Sequence, residues 1–135
     1  MVSPGVQRIS KVDDIKNIEF HNEMALVEVP VSLLDKLPLK NDFRSNSSRL
    51  MKVLNAIRWN GYNNRDPVIA RVGRAGRWVI EDGGHRLTAA KIVTREFWTN
   101  LLTRKIKYIT FLLYETENSY SKLHEAEAVA RDISH

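Results

Sequence analysis

The spacing of apolar residues changes several times along the chain, and each pattern predicts its own kind of element. Apolar and polar residues alternate over residues 26–29, which predicts a short strand closed by Pro30. From Ser47 or Ser48 onward, apolar residues recur every three or four positions, as they do on one face of an α-helix. That stripe consists of Leu50, Val53, Leu54 and Ile57. The pattern therefore predicts an amphipathic helix that Gly61 ends.

The second half of the chain predicts a hairpin, further helices and an interior strand. The runs "VIARV" and "WVIED", joined by a glycine-containing turn, are typical of a β-hairpin. Helical spacing follows Gly84 and is predicted again for residues 95–102 and 118–133. The run "KIKYITFLLYE" becomes apolar on both faces near its end, as a strand inside a sheet does. Together these elements predict an α+β fold with a small mixed β-sheet flanked by helices.

Composition bounds the domain organisation. The chain has 135 residues, of which 43% are hydrophobic and 27% charged, and these values are typical of one globular domain. Residues 1–23 carry only scattered apolar positions and predict a loosely held polar leader, ahead of a single domain over residues 24–135. No apolar run approaches the ~20 residues that span a bilayer, and the first ten residues lack the apolar core of a secretory signal. We therefore expect a cytoplasmic protein with no membrane partner.

Charge points to an anionic partner without requiring one. The net charge is +5 and the pI about 9.6, which is compatible with a nucleotide or DNA and equally with a plain basic surface. Arg71, Arg74 and Arg77 cluster around the predicted hairpin turn. They predict a DNA-backbone patch, with simple solvation of the turn as the alternative.

Other residue types narrow the chemistry. The chain contains no cysteine, which excludes a disulfide framework, a thiolate zinc site and a cysteine nucleophile. The three tryptophans, Trp59, Trp78 and Trp98, are predicted to pack in the core or against the sheet. Glu28, on the first predicted strand, is expected to face solvent, and its functional alternative is a second metal ligand or a general base.

The segment "EDGGHR" carries more polar groups than a strand-to-helix connection needs. A helix that begins at Gly84 or His85 exposes its first backbone N–H groups, and its dipole is positive at that end. Glycines at positions 83 and 84 have no Cβ that would keep an oxygen-bearing ligand away from these donors. His85 and Arg86 would add charge-assisted hydrogen bonds. The junction therefore predicts a phosphate-binding site.

Glu81 and Asp82 would repel a bare phosphate, and a divalent cation such as Mg²⁺ resolves this conflict by bridging carboxylate and phosphate oxygens. The acids thus favour a metal-bound nucleotide or a phosphodiester, with Glu81 and Asp82 as the metal ligands. The same residues also fit a purely structural turn, in which Asp82 caps the helix and His85 and Arg86 are solvated. The spacing alone leaves both interpretations open.

The stretch "VIEDGGHRLTAAK", preceded by "NGYNNRDPVIARV", resembles the ParB N-terminal domain superfamily, also called the ParB/sulfiredoxin fold. Residues 83–86 correspond to the Gly-X-[His/Arg]-Arg box that opens a helix in that superfamily, and Ala89 and Ala90 follow it. Related members carry Asp-Gly-X-His-Arg, which is closer to residues 82–86. The likeness covers roughly residues 25–115, and Arg44 matches the end of a Gln-Pro-Arg segment upstream.

The resemblance implies that the box binds nucleotide phosphates, from CTP or ATP, with Mg²⁺ and with Arg44 as a second phosphate contact. It leads us to expect metal-assisted nucleoside triphosphate hydrolysis or cleavage of a DNA phosphodiester, with Asp82, His85 and Glu81 as the catalytic candidates. Two departures limit this expectation. No cysteine stands beside the His-Arg pair, which excludes sulfiredoxin chemistry, and Gly84 and His85 replace the Glu-Arg of partition proteins, which leaves CTP selectivity open.

Two other functions remain in view. One is a non-enzymatic DNA- or partner-binding module of plasmid or phage type that senses a nucleotide. The other is a small-molecule kinase, because some relatives with Asp-Gly-X-His-Arg transfer phosphate to an amino acid. The chain stops at His135, so we expect no helix-turn-helix reader of the kind that follows in partition proteins. Whether the chain turns over a nucleotide or dimerises is left open.

Overall fold

A computed structural model describes residues 5–41, 47–73, 76–96 and 106–115 of the chain. These residues form a six-stranded mixed sheet, two α-helices and two 3₁₀ helices. The strands are β1 (Gln7–Arg8), β2 (Met24–Pro30), β3 (Leu39–Lys40), β4 (Val68–Val72), β5 (Trp78–Asp82) and β6 (Tyr108–Tyr114). The α-helices are α1 (Ser47–Asn60) and α2 (Gly84–Thr94), and the 3₁₀ helices span Val12–Asn17 and Val31–Lys36. The predicted α+β class with a small mixed sheet is confirmed. The helices predicted for residues 95–102 and 118–133 lie wholly or largely outside the described residues.

The sheet has the strand order β1-β2-β6-β4-β5-β3, so β6 lies in its interior. It pairs antiparallel with β2 along seven residues and parallel with β4 on its other side. Ile109, Phe111 and Leu113 are fully buried on one face, and Thr110 and Tyr114 are buried on the other, which confirms the interior strand predicted from residues that are apolar on both faces. The predicted hairpin is also confirmed, because β4 and β5 pair antiparallel.

Strand directions give the sheet two different ends. The pairings bring the last residue of β5, the first residues of β4 and β6 and the last residue of β2 to the same end, called here the site end. Asp82, Val68, Tyr108 and Pro30 mark it. Val72 at the end of β4 and Trp78 at the start of β5 lie at the opposite end, called here the hairpin end. The length of β5 thus separates the Asp-Gly-Gly junction from Arg77.

Helix α1 packs through the stripe that the sequence predicted. Leu54 and Ile57 are buried, and Leu50 and Val53 are partly buried against the same core. Helix α2 packs against α1 and contributes Leu87, Ala89, Ala90 and Val93 to the core. Both alanines are fully buried, and their small side chains let the α2 backbone lie close to its neighbours. This packing fixes where α2 begins. None of the described helices is long and apolar enough to cross a membrane.

The three tryptophans do not share one role. Trp78 is 1% exposed and contacts Phe111 edge to face, with ring centroids 5.3 Å apart. Trp59 is 84% exposed, so the prediction that it packs in the core is wrong. It falls on α1 outside the apolar stripe, and helical geometry turns it away from the core. Trp98 lies outside the described residues.

The N-terminal segment is better anchored than the predicted loose leader. Strand β1 pairs parallel with β2, and Ile9 is 4% exposed in the core. Ile15, Ile18 and Phe20 pack against that core. The apolar residues of this segment follow no helical or strand period, because a two-residue strand and a 3₁₀ helix impose none over so short a length. Sequence patterning therefore could not detect the anchoring.

Asp14 holds the start of the first 3₁₀ helix, and we expect Asp14→Asn to loosen it. The Ser10 and Lys11 amides donate to Asp14 Oδ2 at 2.9 and 3.2 Å, and the Ser10 bond is the main cause that lowers the carboxyl pKa. Because the pKa is lower in the folded chain than in the unfolded chain, the carboxylate stabilises the fold above the unfolded pKa. That contribution is lost as the pH falls through the folded pKa.

Hydrogen exchange measured by NMR at neutral pH checks this expectation. The Ser10 and Lys11 amides should exchange faster in Asp14→Asn than in the wild type. Asp13→Asn, a change of an exposed acid on the same 3₁₀ helix, should leave both rates unaltered. Equal rates in all three proteins would show that the Asp14 carboxylate does not hold this segment.

Candidate functional site

The junction between β5 and α2 is a single-residue turn at Gly83. This glycine has φ = 91°, a left-handed conformation, and α2 begins at the next residue. It is also the N-cap of α2 and has no side chain that could accept a capping hydrogen bond. The alternative in which Asp82 caps the helix is therefore wrong. The tight turn predicted from the Gly-Gly pair is present. The N-terminus of α2 lies at the site end, directly after β5.

Gly83 is further constrained by its neighbours. A Cβ at this position would lie 3.0 Å from Arg86 Nη2 and 3.4 Å from Val68 Cα. The space beside its Cα is thus filled by the chain's own atoms rather than by an approaching ligand. The absence of a Cβ at Gly83 therefore makes room for the Arg86 side chain, and only the Gly83 backbone could face a bound anion.

One open cleft of about 360 Å³ collects the predicted residues. Its lining comprises Asn41, Arg49, Val53, Ile80, Glu81, Asp82, Gly83, Gly84, His85 and Arg86. The described residues of the segment 81–86 that were predicted to bind metal or phosphate therefore all line this cleft. The sequence missed Arg49 and Asn41, which come from α1 and from the segment after β3. No local pattern marks them, because only the packing of α1 beside α2 brings them to the cleft.

Arg86 is engaged with the loop that leads into β4. Its Nη1 donates to the Asp66 carbonyl and its Nη2 donates to the Pro67 carbonyl, the latter at 3.3 Å. The guanidinium therefore ties this loop to the first turn of α2. Nearby, burial raises the pKa of the Tyr62 phenol, while the charge of Arg86 lowers it and that of Asp66 raises it. The local role of Arg86 is to position the turn.

The two acids line the cleft in different settings. Glu81 Oε1 lies 3.3 Å from Arg71 Nε, and both side chains are 28% exposed. The β4–β5 register shifts here, since Ala70 pairs with Ile80 and Ile69 with Asp82. Glu81 is therefore the extra residue of a β-bulge, a feature that redirects side chains next to sites. Asp82 is exposed at the end of β5.

The cleft offers two carboxylates, one of which, Glu81, is paired with Arg71. Among residues 5–41, 47–73, 76–96 and 106–115, no cluster of three His, Cys, Asp or Glu residues stands ready to hold a metal ion. Mg²⁺, however, is commonly held by one or two carboxylates together with substrate phosphates and water. The donor set of the cleft thus suits a phosphate-bound Mg²⁺ better than a metal held by the protein alone.

Asn41 joins the start of α2 to the segment that follows β3. Its Nδ2 donates to the Gly84 carbonyl at 3.3 Å and to Thr88 Oγ1 at 3.4 Å. Its Oδ1 is buried and has no hydrogen-bond partner among the described residues. The side chain therefore connects the segment after β3 to the first turn of α2.

Other predicted residues lie away from the cleft or outside the described chain. Arg71 is half-buried and pairs with Glu81, and Arg77 is exposed at the hairpin end. Glu28 lies on β2, separated from β5 by two strands, and its Oε2 accepts from Arg8 Nε at 2.7 Å. It does not line the cleft. Arg44 and Arg74 lie outside the described residues.

Comparison with known proteins gives a distant likeness. Neither a protein-family model nor a curated protein sequence matches the chain. The chain is similar to a solved structure of the C-terminally truncated chromosome-partitioning protein ParB from Caulobacter crescentus, complexed with CTP-gamma-S, at 19% identity and a TM-score of 0.46. The match covers 78% of this chain and 53% of that chain, so this chain spans about half the length of the ParB chain it matches. A likeness at this level assigns neither a family nor a ligand, and function has to be inferred from the cleft.

Proposed function

We propose that the chain binds a nucleoside triphosphate by its phosphates, together with Mg²⁺, in the cleft at the start of α2. The observation that carries this proposal is the lining of that cleft. The positive end of an eleven-residue helix, two basic side chains, a histidine and two carboxylates meet around one open space of about 360 Å³. A helix N-terminus favours anionic oxygens, and the carboxylates favour a hard cation beside them.

Different lining residues would contact the phosphates, hold the metal and position the turn. The backbone of Gly83 and Gly84 and the side chain of His85 face the phosphates, and Arg49 supplies the cationic side chain from α1. Asp82 and Glu81 would hold the Mg²⁺, whose charge would neutralise phosphate oxygens. Arg86 acts chiefly by fixing the turn through the Asp66 and Pro67 carbonyls. The role of Arg44 as a second phosphate contact stays a prediction, as does the choice between CTP and ATP.

Turnover is a separate part of the proposal. With a metal bound, Asp82 would orient a water molecule, and His85 in the first turn of α2 would be the general acid for the leaving oxygen. Hydrolysis of the nucleotide or cleavage of a DNA phosphodiester would follow from these roles. The alternative is a nucleotide-sensing module without turnover, and transfer of phosphate to a small hydroxyl acceptor is the third outcome.

Calorimetric titration of CTP, ATP and ADP, each with and without Mg²⁺, tests binding. We expect heat for at least one triphosphate, and a weaker response when EDTA removes the metal. Phosphate release, oligonucleotide cleavage and transfer to hydroxyl acceptors are then followed for the wild type and for Asp82→Asn. Turnover that Asp82→Asn abolishes supports the enzyme, and binding without turnover supports the sensing module. No heat with any of the nucleotides contradicts the proposal.

Two arginine variants separate binding from positioning. Arg49→Ala should weaken nucleotide binding by about 10- to 150-fold, since a hydrogen bond to a charged group contributes about 1.5–3 kcal/mol. Arg86→Ala should lower the free energy of unfolding by roughly the same 1.5–3 kcal/mol, because it removes the bonds to the Asp66 and Pro67 carbonyls. Thermal unfolding and calorimetry measure both quantities. Wild-type stability in Arg86→Ala would argue against the positioning role.

A further inference from the structure

Two further clefts lie at the site end. Neither shares a lining residue with the cleft at the start of α2, called here the α2 cleft. One, of about 220 Å³, is lined by Asn60, Gly61, Tyr62, Asn64, Ile106, Lys107 and Tyr108. The other, of about 320 Å³, is lined by Arg8, Ile9, Glu28, Pro30, Lys107 and Tyr108. Lys107 and Tyr108 belong to both clefts and so form a ridge between them. This dipeptide is called here the ledge.

The backbone of the ledge is held from both sides. The Val31 amide donates to the Lys107 carbonyl at 3.1 Å. Asn64 Nδ2 donates to the Tyr108 carbonyl at 3.1 Å, and the Thr110 amide donates to Asn64 Oδ1 at 2.9 Å. Asn64 thereby pairs with the start of β6 as a neighbouring strand would. A flat ligand that stacks on Tyr108 would meet a surface that is already ordered, which lowers the entropy cost of binding.

The ledge exposes aromatic surface beside positive charge. Tyr108 is 38% exposed, Lys107 is exposed, and the Arg8 side chain is 82% exposed. The acid among the residues that line these two clefts is Glu28, which is 15% exposed and lies 2.7 Å from Arg8. Its charge is therefore matched by a cation at contact distance. The face that remains for a ligand combines an aromatic ring with Lys107 and with the exposed Arg8 side chain, whose charge Glu28 partly offsets.

We propose that the ledge binds single-stranded nucleic acid, with a base stacked on Tyr108 and the backbone phosphates near Lys107 and Arg8. Proteins that bind single strands without sequence preference combine aromatic platforms with basic side chains in this way. The two clefts give space on both sides of one ring, as a strand that passes over the ring requires. The chain's net charge of +5 favours a polyanion.

This surface differs from the DNA patch predicted from the sequence. Arg71 is half-buried against Glu81, and the hairpin turn that carries Arg77 lies at the other end of the sheet. A patch of arginines on a turn offers charge without an aromatic platform. The ledge offers both, and it therefore favours single strands, whose bases are free to stack, over duplex DNA.

Fluorescence anisotropy with a labelled oligothymidylate of about 20 nucleotides tests the proposal, in the absence of nucleotide and Mg²⁺. We expect the single strand to bind more tightly than a duplex of the same length, with an affinity that falls as salt is raised. Tyr108→Ala should weaken binding about 5- to 100-fold, the range expected for loss of one base–aromatic stack. Tyr108→Phe, which keeps the ring, should bind within about twofold of the wild type.

Variants that remove one positive charge at different places provide matched controls for the loss of charge and for misfolding. Lys107→Ala should weaken binding and reduce the salt dependence, whereas Arg77→Ala, an equal loss of charge at the hairpin end, should do neither. Arg49→Ala should bind the strand normally, so that failure of the α2 cleft and failure of the ledge are told apart. Equal affinity for single strand and duplex, or wild-type affinity in both Tyr108→Ala and Lys107→Ala, would overturn the proposal. A proline-rich or acidic peptide that binds the ledge when the oligothymidylate does not would also overturn it.

Discussion

Replacing Trp78 with alanine is expected to lower the free energy of unfolding by about 3–5 kcal/mol, the usual cost of removing a large aromatic side chain from a core. Trp78 begins β5 and is 1% exposed, and its ring meets Phe111 edge to face at 5.3 Å. The variant would leave a cavity in the core beside Phe111 of β6. Urea unfolding followed by circular dichroism measures the effect.

Trp59→Ala is the matched control, because it removes the same side chain from a position that is 84% exposed. Its free energy of unfolding should stay within about 0.5 kcal/mol of the wild type, as for most surface changes. A loss of several kcal/mol in Trp59→Ala, or a small loss in Trp78→Ala, would contradict the described packing. The pair thus tests the core through one residue type.

Gly83→Val is expected to cost roughly 3 kcal/mol or more in stability and to abolish nucleotide binding. A β-branched residue at φ = 91° carries backbone strain of about 1–3 kcal/mol. Its side chain would also meet Arg86 Nη2, which lies 3.0 Å from the Cβ position, and so displace the guanidinium from the Asp66 and Pro67 carbonyls. Thermal unfolding and calorimetric titration report the two losses.

Gly61→Val separates strain from displacement. Gly61 has φ = 83°, and no atom of the described residues lies within 4 Å of its Cβ position, so this variant should show the backbone strain alone and keep its nucleotide affinity. Equal losses of stability in the two variants would mean that Arg86 is not displaced from its carbonyl partners. Unchanged nucleotide binding in Gly83→Val would count against the cleft as the binding site.

The α2 cleft and the ledge lie at the same end of the sheet for one reason. Strand β4 runs parallel to β6 and antiparallel to β5, so the end of β5 and the starts of β4 and β6 coincide. The loop before β4 lies between the two surfaces, with Arg86 bound to Asp66 and Pro67 on one side and Asn64 bound to β6 on the other. A ligand in the cleft and a strand on the ledge would therefore be linked by one short loop.

Much of the candidate site was predictable because it is contiguous in sequence. Residues 81–86 span one strand end, one turn and one helix start, so their proximity follows from local geometry. The role of Arg86 was not predictable, since its partners, the carbonyls of Asp66 and Pro67, are distant in sequence. Arg49 was not predicted as a site residue, because its position at the cleft depends on how α1 packs beside α2.

The sequence by itself determined the elements whose apolar periods are long enough to be detected: α1, the β4–β5 hairpin, α2 and the interior strand β6. It also determined the Asp-Gly-Gly turn, because only glycine readily adopts the left-handed conformation found at position 83. Tertiary structure alone decided the strand order and the anchoring of the N-terminal segment. It also joined Glu81 to Arg71 and set Lys107 and Tyr108 between two clefts. These features depend on which elements contact each other in the fold. Hydrophobic periodicity shows which face of an element is buried, but it does not show which other element covers that face.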